Sequence, residues 1–154
     1  MHRTYKTRDE TMDADPMSSL NPAAKRVVTF GTFDVFHIGH INLLTRARAL
    51  GDELRVGISS ANFNIRKKGR SPFYTEDARM TILNSLDCVD GIFLEEAMEK
   101  KRDYLNEHKA DILVMGDDWE GKFDEFEDIV EVVYLPRTEG ISTTSIIQMI
   151  RDPD

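Results

Sequence analysis

Short apolar runs alternate with longer segments of helical period from Arg26 onward, and this alternation narrows the possible folds more than any other feature. Runs of four to six residues, rich in apolar side chains, predict buried strands. Strands that alternate with helices favour an α/β fold, in which helices cover both faces of a parallel sheet. The predicted strands cover residues 27–30, 54–58, 91–94, 112–115 and 130–135.

Four helices are predicted between or after these strands, because apolar residues recur there at helical spacing. They cover residues 39–50, a segment after Thr75, residues 98–108, and a segment that begins near Ser142. Thr75 is a predicted N-cap because two acidic residues follow it at the positive end of the helix dipole. Gly51 is a predicted helix stop. The stretch from residue 59 through Pro72 contains glycine, proline and basic residues, and it is predicted to be a loop.

The domain organisation follows from length and composition. A chain of 154 residues, with 40% apolar and 31% charged residues, is expected to form one domain. Residues 1–25 are polar and mixed in charge and contain Pro16 and Pro22, so we expect a disordered or loosely attached extension there. The folded domain is predicted to span residues 26–154.

Charge and composition argue against several kinds of partner. The net charge of −8 disfavours nucleic acid. No apolar run is long enough to cross a membrane, and residues 1–26 lack the apolar core of a secretory signal. We therefore predict no membrane partner and a cytoplasmic location. The single cysteine, Cys88, lies in an apolar stretch and is interpreted as a packing residue.

The loop after the first predicted strand combines features of a phosphate site. It leads from a buried strand into the start of a helix, where free backbone N–H groups and the helix dipole attract anions. Gly39 permits close approach of the backbone to a phosphate, and His37 and His40 supply hydrogen-bond donors. In parallel α/β sheets ligands bind beyond the carboxyl ends of the strands, where this loop lies.

The two histidines are open to three other interpretations. A metal site would need a further ligand, and no carboxylate or third histidine lies at ligand spacing. A general base would be superfluous for a phosphate nucleophile, which is already deprotonated near neutral pH. Capping or packing roles are equally possible. The basic cluster is either a solvated loop or a phosphate-binding one, and it consists of Arg66, Lys67, Lys68 and Arg70.

Residues 137–144, after the last predicted strand, have a second set of phosphate-binding features. Arg137 offers a planar cationic fork, Gly140 permits a tight turn, and hydroxyl side chains open a helix from Ser142. An arginine followed by a capped helix occurs in many proteins and by itself indicates little. Since both loops lie at the same end of the predicted sheet, together they predict a phosphate site.

Three segments resemble the cytidylyltransferases of the His-x-Gly-His nucleotidyltransferase superfamily. They are Gly-Thr-Phe-Asp with His-Ile-Gly-His at 31–40, Met-Gly-Asp-Asp-Trp-Glu-Gly-Lys-Phe at 115–123, and Arg-Thr-Glu-Gly-Ile-Ser-Thr-Thr at 137–144. The last two are similar to glycerol-3-phosphate cytidylyltransferases, and the similarity runs from about Lys25 to Ile150. The resemblance implies a Rossmann-like three-layer α/β fold and transfer of CMP from CTP to a small phosphorylated alcohol. The implied acceptor is sn-glycerol 3-phosphate, the products are CDP-glycerol and pyrophosphate, Mg²⁺ is carried by the CTP phosphates, and the assembly is a homodimer.

The resemblance also implies roles for individual residues. The catalytic residues are His37, His40 and a lysine, which is Lys67 or Lys68 because the loop is one residue longer here. The nucleotide-binding residues are Thr32, Phe33, Asp34, His37, Gly39, His40, Arg137, Thr138, Gly140, Ile141, Ser142, Thr143 and Thr144. The acceptor-binding residues are Lys68, Arg79, Lys101 and Asp118. No protein-built metal site is expected, and Asp34 is the one nearby carboxylate to test.

Two positions depart from the family pattern. Ala61 stands where the family usually has Asp, and Asp87 stands where it usually has Arg. These departures bear on the acceptor and on the dimer, and they leave the CTP assignment in place. The alternatives are a cytidylyltransferase for another polyol phosphate or a phosphonate, an adenylyltransferase of FAD synthetase type, and a nucleotide-binding protein without activity.

Overall fold

Five parallel strands form one sheet in the order β3-β2-β1-β4-β5 in the computed structural model, which describes residues 24–153. The strands are β1 (Arg26–Gly31), β2 (Glu53–Ser59), β3 (Gly91–Glu95), β4 (Ile112–Gly116) and β5 (Glu131–Leu135). Each lies where a strand is predicted, within one residue or so at its ends. From β1 the chain adds β2 and β3 on one side, and it then adds β4 and β5 on the other side of β1. This reversal makes a crevice between the loops after β1 and β4, the usual ligand position in such sheets.

Helices cover both faces of the sheet, which confirms the predicted Rossmann-like three-layer fold. The helices are α1 (Ile38–Ala49), α2 (Ala61–Lys68), α3 (Glu76–Asn84), α4 (Lys101–Glu107) and α5 (Thr143–Arg151). On one face, Leu44 of α1 and Leu83 of α3 are fully buried in a cluster with side chains of β1, β2 and β4. On the other face, Leu105 of α4 packs with Phe123 and Phe126 from the connection between β4 and β5. Cys88 packs against the first cluster, as predicted.

Residues 61–68 are helix α2, so the prediction of a loop from residue 59 through Pro72 is wrong over most of its length. Ser60 caps the helix by accepting a hydrogen bond from the backbone N–H of Phe63, and Gly69 ends it in the left-handed conformation, with φ of 76°. Only Phe63 and Asn64 of the helix are buried. The sequence pattern was uninformative here because one apolar and one polar residue form the whole inner face.

One smaller prediction about a helix end is also corrected. Helix α1 ends with Leu50 as its C-cap in a right-handed conformation, so Gly51 is not the left-handed stop. A Cβ at Gly51 would lie 2.7 Å from the carbonyl oxygen of Lys25, and this close approach is what requires glycine there. Helix α5 begins after Ser142, as predicted, and Ile150 near its other end is 74% exposed.

The prediction of a loose extension over residues 1–25 falls, apart from Ala24 and Lys25, outside the described residues. The backbone N–H of Lys25 donates to Asp52 at 2.7 Å, which ties the start of β1 to the turn before β2. Over residues 24–153, none of the helices combines the length and apolar character that crossing a membrane requires.

Candidate active site

A cavity of about 380 Å³ opens at the carboxyl ends of the strands. The loops after β1, β4 and β5 form its walls, together with helix α2 and the start of α4. Most of the predicted site residues line it: Thr32, Phe33, Asp34, His37, Gly39, His40, Lys67, Lys68, Lys101, Asp118, Arg137, Thr138, Ile141, Ser142, Thr143 and Thr144. The structure therefore brings together side chains from loops more than 100 residues apart. Arg79 and Gly140 are not among the lining residues.

The two histidines cap helix α1 through their own side chains. Nδ1 of His37 accepts from the backbone N–H of Gly39 at 3.0 Å, and Nδ1 of His40 accepts from the backbone N–H of His37 at 3.1 Å. The rings stack with centroids 3.8 Å apart. A Cβ at Gly39 would lie 2.8 Å from the His37 ring, so glycine is needed between them. The capping interpretation is thus correct, and it is compatible with phosphate binding by the same rings.

These hydrogen bonds determine where each imidazole carries its proton. A ring whose Nδ1 accepts a hydrogen bond carries its proton on Nε2 in the neutral state, so each ring keeps one N–H donor. Burial and the neighbouring His37 lower the pKa of His40 to about 4, with Asp34 opposing the shift. Burial and Arg137 lower the pKa of His37. Near neutral pH both rings are therefore neutral donors with a defined tautomer.

Asp34 organises the loop between β1 and α1 and is itself buried. Its carboxylate accepts from the backbone N–H groups of Phe73 at 2.7 Å, Tyr74 at 2.8 Å and Val35 at 3.1 Å. Its flanking residues, Phe33 and Val35, have φ of 55° and 47°, in the left-handed region that costs energy for side chains of this size. Both carboxylate oxygens hold backbone in place, so Asp34 acts as a clamp on the histidine loop.

Helix α5 is docked onto the same loop. The hydroxyl of Thr143 donates to the carbonyl oxygen of Asp34 at 2.8 Å, across 109 residues of sequence. Ser142 and Ser145 form a reciprocal capping box that leaves the start of the helix at the cavity. Gly140 supports the preceding turn with φ of 80°. The positive end of the α5 dipole and the two histidines therefore face one space, as an anion site requires.

Arg137 and Asp118 form an ion pair across the mouth of the cavity, with Nη1 and Oδ2 3.2 Å apart. The pair joins the loop after β5 to the loop after β4. Each side chain is more than half exposed, so the pair contributes little to stability and leaves Arg137 available to a phosphate.

Arg79, which was predicted to bind the acceptor, does not line the cavity. Its side chain is fully buried, and Nη1 donates to the carbonyl oxygens of Thr32 at 3.0 Å and Ser59 at 2.7 Å. These carbonyls follow the ends of β1 and β2, so Arg79 holds the two strand ends in position. Its Nη2 is buried without a hydrogen-bond partner in the described part of the chain.

Lys67 extends from helix α2 over the end of β2. Its Nζ donates to the Ser59 hydroxyl at 3.0 Å and lies 4.6 Å from the centroid of the Phe63 ring. Burial lowers the pKa of Lys67 to about 8, with Glu95 opposing the shift and Lys68 adding to it. Lys68 also lines the cavity. Of the two lysines left open by the sequence, these contacts with Ser59 and Phe63 favour Lys67 as the oriented cation.

We expect the charge of Lys67 to set an alkaline limit on substrate binding. Below pH about 8 the lysine is protonated in the free protein, and its charge is lost as the pH rises through that value. The kcat/KM for the nucleotide expected from the sequence should therefore fall above pH 8, and Lys67→Arg should move this limb upward by about a pH unit or more, because guanidinium stays charged. A pH profile of both proteins measures this, with Lys100→Arg, the same change at an exposed lysine that does not line the cavity, as the control. An unmoved limb in Lys67→Arg would contradict the assignment.

Sequence reasoning missed two polar residues of the site. Asn64 of α2 is buried, donates to the carbonyl oxygens of Ser59 and Ser60, and accepts from the Thr32 hydroxyl at 2.9 Å. It lay in a segment predicted to be a loop, so no pattern marked it. Glu95 ends β3 and lines the cavity. Its position after a buried strand, at the ligand-binding edge, is the signal that could have found it.

Apolar side chains cover the part of the cavity that is closer to α4. None of them was a predicted site residue, and they are Phe30, Met98, Met115, Trp119 and Phe123. No group of three or more histidine, cysteine, aspartate or glutamate side chains within residues 24–153 is arranged to hold a metal ion. The site is thus polar and cationic beside α1, α2 and α5, and mainly apolar towards α4.

Comparison with known proteins connects this arrangement to one family. The profile described as cytidylyltransferase-like matches residues 28–149. Glycerol-3-phosphate cytidylyltransferase of Bacillus subtilis is 50% identical over 126 residues, which are 82% of this chain and 97% of that protein. The Staphylococcus aureus protein of the same name is 46% identical over 130 residues, covering 84% and 98%. A lipopolysaccharide core biosynthesis protein from Thermoplasma volcanium superimposes with a TM-score of 0.64 at 27% identity, covering 76% of this chain and all of that one.

Proposed function

This chain belongs to the cytidylyltransferase-like family, and we propose on that basis that it transfers CMP from CTP to sn-glycerol 3-phosphate, giving CDP-glycerol and pyrophosphate. The observation that carries the proposal is identity of 46–50% to glycerol-3-phosphate cytidylyltransferases over nearly their whole length. Identity at this level favours CTP over the ATP of a FAD synthetase-type adenylyltransferase. Another polyol phosphate or a phosphonate is the alternative acceptor.

The chemistry is a direct in-line displacement at the α-phosphorus of CTP. A phosphate oxygen of the acceptor forms a new P–O bond, the bond from the α-phosphorus to the bridging oxygen breaks, and pyrophosphate leaves with that electron pair. The Nε2–H donors of His37 and His40, the Lys67 ammonium and the start of α5 stabilise the charge that develops on the phosphate oxygens. Catalysis therefore rests on positioning and electrostatics, without a covalent intermediate.

The phosphates of CTP, rather than side chains of this chain, would hold Mg²⁺ in this proposal, and the ion would supply partial neutralisation of the phosphate charge. The carboxylates near the cavity fit an ion that is held by CTP better than an ion that is held by protein ligands alone. The two carboxylate oxygens of Asp34 accept backbone hydrogen bonds, and Asp118 is paired with Arg137. Asp34 is accordingly proposed as the clamp of the loop and not as a metal ligand.

A homodimer and a cytoplasmic location complete the proposal. Met149 and Ile150 of α5 are 67% and 74% exposed, and an apolar surface of this kind is compatible with contact between subunits. The molar mass in solution tests the dimer, and a monomer at micromolar concentration would contradict it.

The location follows from the intracellular supply of CTP, and fractionation of the producing cells tests it.

Pyrophosphate release by the full chain with Mg²⁺ tests the reaction. We expect rapid release from CTP with sn-glycerol 3-phosphate, and at least about 100-fold less when ATP replaces CTP or when the acceptor is omitted. Ribitol 5-phosphate and a phosphonate are the acceptor controls. Release with another acceptor alone would keep the transfer chemistry and change the substrate. No release with any pair, despite CTP binding, would favour the inactive nucleotide-binding alternative.

A further inference from the structure

A buried charge pair stands in the wall of the cavity on the side of α4. Nζ of Lys101 lies 2.6 Å from Oε2 of Glu95, and both side chains are 2% exposed. Both residues line the same cavity as the histidines. Since a buried ion pair is on average no more stabilising than apolar residues of the same size, its presence beside a substrate cavity calls for a functional reason.

The Lys101 ammonium also sits against aromatic rings. Nζ lies 3.8 Å from the centroid of Phe30 and 5.2 Å from that of Phe123. A carboxylate combined with aromatic faces is how proteins bind alkylammonium ligands. Here the ammonium at the centre of the arrangement belongs to the chain itself.

We propose that the ammonium group of Lys101 occupies the position that the ammonium group of a phosphorylated amino alcohol would take. The acceptor site therefore selects the phosphates of polyols, which carry no ammonium group. The inference rests on the proposed function and deepens it by naming Lys101 and Glu95 as specificity-determining residues. A second ammonium entering this space finds the Glu95 carboxylate already paired and meets the Lys101 ammonium at close range, which disfavours its binding. A polyol phosphate instead brings oxygen acceptors to the two N–H donors that Lys101 does not use on Glu95.

Glu95 has two effects in this arrangement. It holds the ammonium over the Phe30 ring, and it counteracts the lowering of the Lys101 pKa that burial causes. The pair therefore keeps a protonated amine in an otherwise apolar wall. Without Lys101, the same carboxylate and rings would form a vacant site for an external cation.

The test removes the internal ammonium and offers an external one. Lys101→Ala in the full chain is compared with the wild type in kcat/KM for pyrophosphate release from CTP, with sn-glycerol 3-phosphate or ethanolamine phosphate as acceptor. We expect the ratio of the two values to shift by about 100-fold towards ethanolamine phosphate. Lys100→Ala, the same change at the exposed neighbouring position, should leave the ratio unchanged. Thermal stabilisation by CTP verifies that each variant is folded. An unchanged ratio in Lys101→Ala overturns the proposal.

The double variant Lys101→Ala/Glu95→Gln shows whether the carboxylate is part of the site. The shift towards ethanolamine phosphate should be about tenfold smaller than in Lys101→Ala, because the attraction of the carboxylate is lost with its charge. Equal shifts in the two variants overturn the proposal. If Lys101→Ala alone does not fold, the double variant decides: a shift of about tenfold from the wild type supports the proposal, and an unchanged ratio overturns it.

A different result would show that the proposed function is wrong while leaving the proposal about Lys101 open to its own test. A wild-type protein that releases no pyrophosphate from CTP and sn-glycerol 3-phosphate contradicts the proposed reaction. Calorimetric binding of ethanolamine phosphate then tests the cation site without turnover. Binding to Lys101→Ala that is at least about tenfold tighter than to the wild type supports the site, and equal binding overturns it.

Discussion

Replacement of His37 by alanine is expected to lower the turnover of pyrophosphate release by about 10²–10³-fold, with a much smaller change in CTP affinity. The side chain carries its proton on Nε2, because its Nδ1 accepts the backbone N–H of Gly39. The donor is thus oriented before the substrate arrives, and its hydrogen bond strengthens as charge grows on the phosphate oxygens. Single-turnover and steady-state kinetics with saturating CTP measure the effect.

Two variants separate catalysis from capping at this position. His37→Asn keeps a side-chain acceptor for the N-terminus of α1 but has no donor at the place of Nε2. It should lose as much turnover as His37→Ala, while retaining the roughly 1 kcal/mol of stability that the cap provides. His108→Ala removes a half-buried imidazole that stacks on Phe93, outside the cavity, and should leave turnover within about twofold. Near-normal turnover in His37→Asn would refute the donor role.

Replacement of Asp34 by asparagine should give the largest loss of stability, about 2–4 kcal/mol in the free energy of unfolding. The amide group presents an NH₂ where the carboxylate accepts backbone N–H groups, so at least one buried donor is left without a partner. The loop that Asp34 holds contains Phe33 and Val35 in the left-handed region, and it relaxes when the clamp is removed. Denaturant unfolding measures the loss, and turnover should fall with it because the histidines are displaced.

Asp52→Asn is the matched control for this change. Asp52 also accepts a backbone N–H, that of Lys25 at 2.7 Å, but at an exposed site where water replaces the lost bond. Its substitution should cost less than about 1 kcal/mol. If Asp34→Asn is no more destabilising than Asp52→Asn, the carboxylate is not the clamp of the histidine loop.

The sequence was most informative where structure depends on near neighbours. Apolar runs located all five strands, Thr75 was correctly predicted as an N-cap, and the last helix begins at Ser142 as predicted. The sequence was least informative at α2, whose inner face consists of Phe63 and Asn64 alone. No periodicity emerges from two positions, so the segment was interpreted as a loop.

The residues of the candidate site show the same difference between features set by neighbours in the sequence and features set by the fold. The sequence by itself predicted the two loops that we propose to bind phosphate, because a histidine pair at a helix start and a Ser-Thr-Thr helix start are local patterns. Only the tertiary structure decided which residues meet. The contacts of Thr143 with Asp34, and of Lys101 and Glu95 with the Phe30 ring, depend on the order of the strands. The burial of Arg79 and the pairing of Arg137 with Asp118 likewise arise from elements that are distant in sequence. Side-chain burial and charge pairing are properties of the packed sheet, and no local pattern of residues encodes them.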